Sequence, residues 1–185
     1  MKKAVLASTI FLLPFAAFAN DYSGHRVGIG YVETEIENTV GSRVDWGTGF
    51  KLEYGYDINK IFGVNFSYNN TSDSVNLQHQ GQTILGADQK RHTFKLDTDI
   101  GYTFDVRGFL IKPYGAIGIA SYTENQDINV ADNSSMSHSF SDTAVYFGGG
   151  VRASLPQGLY ADIRADFLAD DDMTDQVSLS IGYRF

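Results

Sequence analysis

The chain has 185 residues, no cysteine and a formal net charge of −8, which excludes disulfides and a lipid-modified N-terminal cysteine and argues against nucleic acid as a partner. Its length suits one domain, and 19 glycines and 14% aromatic residues against three prolines lean towards β structure. Beyond the N-terminus no apolar run reaches the roughly 20 residues of a transmembrane helix, so any membrane crossing falls to strands.

Lys2 and Lys3 precede a largely apolar stretch from Ala4 to Phe15, and Ala17-Phe18-Ala19 forms an A-x-A cleavage pattern. Residues 1–19 therefore read as an export signal whose cleavage site is marked by Ala17 and Ala19, leaving residues 20–185 as the folded domain. From there, apolar and polar residues alternate. Val27, Ile29 and Tyr31 open the series, followed by Phe50, Leu52, Tyr54 and Tyr56, and then by Phe62, Val64, Phe66 and Tyr68. Phe94, Leu96, Ile100, Tyr102 and Phe104 continue it. The run from Leu110 to Ala120 is strand-like with an ambiguous facing, for which Ile111, Ile117 and Ile119 are taken as outward. Val145, Phe147 and Val151, then Leu159 to Phe167, then Val177 to Phe185 complete eight predicted strands.

The connections alternate in length. Asp57-Ile58-Asn59-Lys60, Asp105-Val106-Arg107-Gly108 and Pro156-Gln157-Gly158 suit tight turns. The others are longer and polar, and are expected as loops over Glu35 to Asp45, Asn70 to Arg91, Tyr122 to Asp142 and Ala169 to Asp175. Short turns thus gather at one end and long loops at the other.

The sequence predicts an all-β fold, an eight-stranded antiparallel up-and-down transmembrane β-barrel, in which apolar side chains face lipid and polar ones fill the lumen. A soluble eight-stranded barrel is the competing architecture. Aromatics at strand ends fit interfacial girdles: Tyr54, Tyr56, Phe62, Tyr102, Phe104, Tyr183 and Phe185 on the short-turn side, Trp46, Tyr68, Tyr122 and Phe167 on the other. The inward charges expected from the alternation are Lys51, Lys95, Arg152, Arg164 and Arg184 against Glu53, Asp97, Asp99, Asp162 and Asp166. Their balance predicts a lumen closed by ion pairs; a narrow ion path is the alternative.

The chain ends on VSLSIGYRF, with Val177, Leu179, Ile181, Tyr183 and Phe185 at alternate positions. That ending resembles the terminal signal by which bacterial outer-membrane barrels are recognised for assembly. With the export signal, eight strands and alternating turn lengths, the chain resembles the small eight-stranded outer-membrane proteins, such as outer membrane protein X and the barrel domain of outer membrane protein A. The resemblance implies an integral, multi-pass location in the outer membrane of a Gram-negative bacterium. It also implies partnership with outer-membrane lipid, lipopolysaccharide and the barrel assembly machinery. The function it implies is non-enzymatic and carried by the outer loops: membrane integrity, adhesion or host-defence resistance, through a host or surface ligand.

Other candidate chemistry is sparse. Asp170, Asp171, Asp172 and Asp175 could hold calcium through oxygen ligands, but they lack the glycine and glutamate of the helix-loop-helix motif and read better as a solvated turn. His25, His79, His92 and His138 show no paired ligand spacing, so neither metal nor cofactor is expected. Ser137-His138-Ser139 invites comparison with lipid A-modifying outer-membrane enzymes, yet it lies in a polar segment that does not enforce contact between nucleophile and base.

Overall fold

A computed structural model describes residues 22–37, 43–79, 82–130, 134–169 and 174–185. The export signal at 1–19, including Ala17 and Ala19, lies outside them, as do Asp170, Asp171 and Asp172. The strands are β1 (Gly24–Glu37), β2 (Arg43–Asp57), β3 (Phe62–His79), β4 (Gln82–Gly101), β5 (Phe104–Val106), β6 (Phe109–Val130), β7 (Ser134–Ser154), β8 (Leu159–Ala169) and β9 (Thr174–Arg184). All pairings are antiparallel between chain neighbours, and β1 pairs with β9 from Arg26↔Arg184 to Ile36↔Thr174. Because β4 also pairs with β6, the ring closes.

Nine strands make eight staves because β5 continues β4. The register Gly101↔Tyr114 resumes unshifted at Phe104↔Ile111, which sets Tyr102 opposite Pro113. Proline has no N–H to give the ladder, so pairing lapses there. On the other side, towards the β2–β3 turn, the amides of Gly101 and Thr103 donate to Ile61 O and Lys60 O, each at 2.9 Å.

The tight turns follow their residues. Arg107 and Gly108 have φ of 55° and 90°, the two positive values of a type I′ hairpin, and Asp105 Oδ1 accepts the Gly108 N–H at 2.9 Å. At the first turn Asn59 Oδ1 accepts from the amides of Ile61 and Phe62. At the third, Gly158 takes a φ of 95° after Pro156 and Gln157, and its amide donates to Leu155 O at 3.0 Å.

Along each stave the alternation divides outside from inside. Ile29, Phe50, Phe66, Phe94, Phe147, Ile163 and Ile181 stand on the outer surface, while Arg26, Lys95, Asp99, Arg152 and Asp162 are buried. On β6, Ile111, Pro113, Ile117, Ile119 and Ser121 face out and Lys112, Tyr114, Ala116 and Ala120 face in. Tyr122 is a correction: it shares the parity of Ala120 and lies buried inside, so it is no part of an outer aromatic girdle.

The expected loops at Asn70–Arg91 and Tyr122–Asp142 are also corrected. β3 and β4 pair as far as His79↔Gln82, β4 and β6 as far as Leu85↔Val130, and β6 and β7 as far as Val130↔Ser134. β2 leaves β3 at Thr48↔Ser72 and β8 leaves β7 at Val145↔Ala169. A four-strand sheet of β3, β4, β6 and β7 therefore stands beyond the barrel rim. Its sequence resembles loop because water on both faces removes the alternation that marks a half-buried strand. Likewise β1 runs on to Glu37 and β8 to Ala169, inside segments expected as loop.

Candidate functional site

Two regions carry chemistry: the lumen and the projecting sheet. The lumen is crossed at three levels by side chains from strands far apart around the ring. Near the short turns, Arg26 Nε meets Asp57 Oδ2 at 2.9 Å and its Nη2 donates to Asn65 Oδ1 at 2.8 Å. Arg152, on β7, reaches Asp57 on the diametrically placed β2 at 3.5 Å and Asp99 at 3.4 Å. Its Nε lies 2.9 Å from Asp162 Oδ2, an ion-pair contact without hydrogen-bond alignment. Lys112 donates to Asp99, and Arg184, half-buried at the mouth, lies 3.8 Å from Asp57. Asn65 Nδ2 ties Asp97 to Asp99 at 2.7 and 3.0 Å.

At mid-height, Arg164 on β8 pairs with Asp166 at 2.6 Å and crosses to Asp97 on β4 at 3.0 Å. Lys95 meets Asp166 at 2.8 Å from the opposite wall. Tyr146 donates to Asp97 at 2.5 Å and Tyr114 to Asp162 at 2.8 Å. Lys51 pairs with Glu53 at 2.8 Å, and Glu53 also accepts from Tyr160 at 2.7 Å and Ser180 at 3.2 Å. Room for Tyr160 comes from glycine. A Cβ at Gly28 would lie 2.3 Å from the Tyr160 hydroxyl and one at Gly182 2.5 Å from its Cζ, well inside van der Waals contact.

At the far end of the lumen the ions give way to Ala120, Tyr122, Ala144, Tyr146 and Leu168, which form one buried cluster. Arg91 crosses beside it from β4 to Thr174 on diametric β9 at 3.0 Å, pairs with Glu124 at 3.0 Å and lies 4.1 Å over the Tyr122 ring. Asn69 bonds Gln176 at 3.1 Å, and Gln176 bonds Thr34 at 3.1 Å. A cavity among Tyr22, Asp57, Lys112, Arg152 and Arg184 measures about 20 Å³, space for about one water. An eight-strand lumen is narrow enough for side chains to fill, and these residues fill it.

The structure thus brings Lys51, Glu53, Lys95, Asp97, Asp99, Arg152, Asp162, Arg164 and Asp166 into the interior, with Arg184 at its edge. Sequence reasoning missed Arg26, Asp57, Arg91 and Lys112. Arg26 and Lys112 adjoin the outward Val27 and Ile111, and Asp57 shares the parity of Glu53, so the alternation carried along these strands points to them; Arg91 shares the parity of Lys95 but falls in the polar segment expected as loop.

Val177, Leu179, Ile181 and Tyr183 line the outer face of β9, and Phe185 follows it at the short-turn end. The Phe185 amide donates to His25 O at 2.9 Å and the His25 amide to Phe185 O at 2.8 Å. Their rings stack at 5.8 Å, with Tyr56 4.7 Å from His25. Asp175 is half-buried on β9, opposite Glu35 and Phe167. Among the described residues no group of three or more histidines, aspartates and glutamates is placed to hold a metal.

Ser137, His138 and Ser139 lie on β7 in the projecting sheet. Successive strand residues point to opposite faces, so His138 is turned away from both serines. Ser137 donates to Asp127 instead, and His92 shares a 2.8 Å hydrogen bond with the Tyr68 hydroxyl.

A closed sheet with an apolar exterior and a charged, filled interior defines a transmembrane β-barrel. The family model of the outer membrane protein beta-barrel domain matches residues 4–185, and the chain belongs to that family. Among solved structures it is similar to Ail, the attachment invasion locus protein of Yersinia pestis, at 20% identity over 89% of this chain and 99% of that one, with a TM-score of 0.64. Neisserial surface protein A is 15% identical over 87% and 97%, with a TM-score of 0.59. The N-terminal barrel domain of Pseudomonas aeruginosa OprF is 17% identical over 88% and 99%, at 0.55. At these identities the likeness is one of fold. No curated protein sequence matches the chain.

Proposed function

We propose that this outer-membrane barrel acts at the cell surface by binding, through the sheet that β3, β4, β6 and β7 raise beyond the rim. It performs no catalysis, and its lumen is a structural plug. The long-hairpin end faces outward and both termini face the periplasm. Residues 1–19 serve as a cleaved export signal, and Val177, Leu179, Ile181, Tyr183 and Phe185 are read by the barrel assembly machinery. Lipopolysaccharide surrounds the outer rim.

One observation carries the reading: the projecting sheet keeps its ladder to His79↔Gln82 and Val130↔Ser134, far past any need of membrane closure. A membrane strand needs only about 9–11 residues, and β6 has 22 and β7 has 21. Ordered backbone held out in water is a platform for a partner. The likeness to an attachment protein and to a surface protein supports adhesion as the role.

The test shortens both hairpins to the rim with Asn-Gly turns in a deletion strain and measures barrel assembly and adherence to host cells. The barrel is expected to assemble while adherence is lost; unchanged adherence refutes the reading. The lumen contacts support a plug over a channel, so purified protein is expected to give at most small, rare conductance events in planar bilayers. Stable large steps would move the function into the lumen.

A further inference from the structure

We propose that the barrel wall holds one phospholipid of the periplasmic leaflet, with an acyl chain seated in a groove across β8, β9 and β1; the leaflet rests on the orientation given above. The groove follows from register. Gly28, Gly182 and Tyr160 stand in one row across these strands, and Tyr160 is buried. A Cβ on either glycine would meet Tyr160 inside the barrel, so this row turns only main chain outward. Leu159, Tyr183 and Val27 form the exposed row on the turn side, and Ile181 and Ile29 belong to the exposed row beyond. The hollow between them measures about 580 Å³, inside the range of about 300–1,000 Å³ common for small-molecule sites.

The far wall falls away at Ala161, opposite Ile181, and at Ala153, opposite Ala161. There a second hollow of about 280 Å³ opens beside Phe109 and Leu155. Leu159 and Tyr160 border both hollows, which makes one continuous trough. Its rows lie perpendicular to the strands, and strands of outer-membrane barrels tilt by roughly 35–45°. The trough is therefore oblique to the membrane, and an acyl chain can run along it instead of merely crossing it.

Position and chemistry select the occupant. Among the described residues no charged side chain borders either hollow. The trough is continuous with the next outward row, Ile163, Leu179 and Tyr31, in the wall that faces hydrocarbon. Leu159 opens β8 straight after the third tight turn, so the trough starts at the short-turn rim. There the Tyr183 ring is held in place: a Cβ at Gly158 would lie 3.0 Å from its Cζ, and Phe185 stacks on it at 6.5 Å. Tyrosine suits a membrane interface because its ring is apolar and its hydroxyl polar. Fixed at the turn, the hydroxyl donates to an ester carbonyl or phosphate oxygen while a chain fills the trough, a combination that a glycerophospholipid supplies in one molecule.

The test refolds the full barrel in vesicles containing equal amounts of phosphatidylethanolamine and lipid A, transfers it to detergent and reads the retained lipid by native mass spectrometry. One phosphatidylethanolamine per barrel is expected to survive the transfer. Ala161→Trp sets an indole in the trough and should lower the retained lipid by about tenfold or more. Tyr183→Phe keeps the ring and loses one hydrogen bond, for a loss of roughly fivefold. Val64→Trp, on the outer face of β3, should change nothing; unheated electrophoretic mobility confirms folding of each variant, and Ala153→Phe replaces Ala161→Trp if the latter does not fold. Absence of retained lipid from the parent barrel overturns the proposal, as does equal retention in the trough-filled variant. Retention of lipid A in place of phosphatidylethanolamine overturns it too, by moving the trough to the outer leaflet. An epitope inserted between Arg107 and Gly108 and probed on intact cells then separates the two readings: an inaccessible epitope leaves the orientation standing while this inference alone falls, and an accessible one removes both.

Discussion

Replacing Lys51 by methionine isolates one buried ion pair. Lys51 Nζ lies 2.8 Å from Glu53 Oε2, with the two side chains 4% and 10% exposed, and its other hydrogen bond is to Ser178 at 3.3 Å. Methionine keeps the apolar stem and removes the charge, stranding a carboxylate inside the barrel. Breaking a buried pair on one side costs about 3–5 kcal/mol. Glu53 retains the hydroxyls of Tyr160 and Ser180, which puts the expected loss at the low end, about 3 kcal/mol, on the order of a hundredfold in the folding equilibrium. Adding Glu53→Gln removes the stranded charge yet leaves an oxygen for Tyr160, so the double variant should recover to within about 1 kcal/mol of the parent. The assay is reversible urea unfolding in phospholipid vesicles, followed by far-UV circular dichroism and by electrophoretic mobility of the unheated barrel. A loss below about 1 kcal/mol for Lys51→Met would refute the reasoning, because it would mean that water solvates Glu53 and the lumen is wet.

Glycine at position 28 makes a second test. Gly28→Ala should destabilise the barrel by about 1–3 kcal/mol, and Tyr160→Phe should relieve part of that, since the hydroxyl is the atom a Cβ would strike. Gly182→Ala should resist the same rescue, because there the collision is with the Val27 carbonyl oxygen at 2.2 Å and with ring carbons of Tyr160; equal rescue at both sites would contradict the packing described. Phe185→Ala is expected to lower the amount of assembled barrel in the outer membrane several-fold while refolding in vitro changes little, which separates a recognition role from the ring contact with His25; a loss confined to refolding would argue the reverse. Expression of the protein should leave the mass spectrum of lipid A unaltered, and a new lipid A species abolished by His138→Ala would overturn the non-enzymatic reading.

The inward charges reveal both how far the sequence could be read and where reading stopped. Lys95, Asp97 and Asp99 follow one another at alternate positions between Phe94, Leu96 and Ile100, so their common face was evident. Nothing local says that Lys95 and Arg164 would meet at Asp166, or that Arg152 would reach both Asp57 and Asp99. Arg91 is obscured for another reason, since its stretch carries polar residues on both faces and resembles loop.

Alternation is a property of neighbouring residues. It sets strand, facing and the exclusion of a helical membrane span by the chain's own covalent geometry, and so the transmembrane barrel class was present in the sequence. Pairing across a lumen depends on tilt, on the offset between staves and on which walls end up diametrically opposed, as β2 and β7 do for Asp57 and Arg152 and β4 and β9 for Arg91 and Thr174. The same holds for the projecting sheet, whose order comes from backbone ladders that any polar sequence can form. The hairpin through β5 sets β4 beside β6, and only the tertiary structure shows that their pairing continues past the rim to Leu85↔Val130.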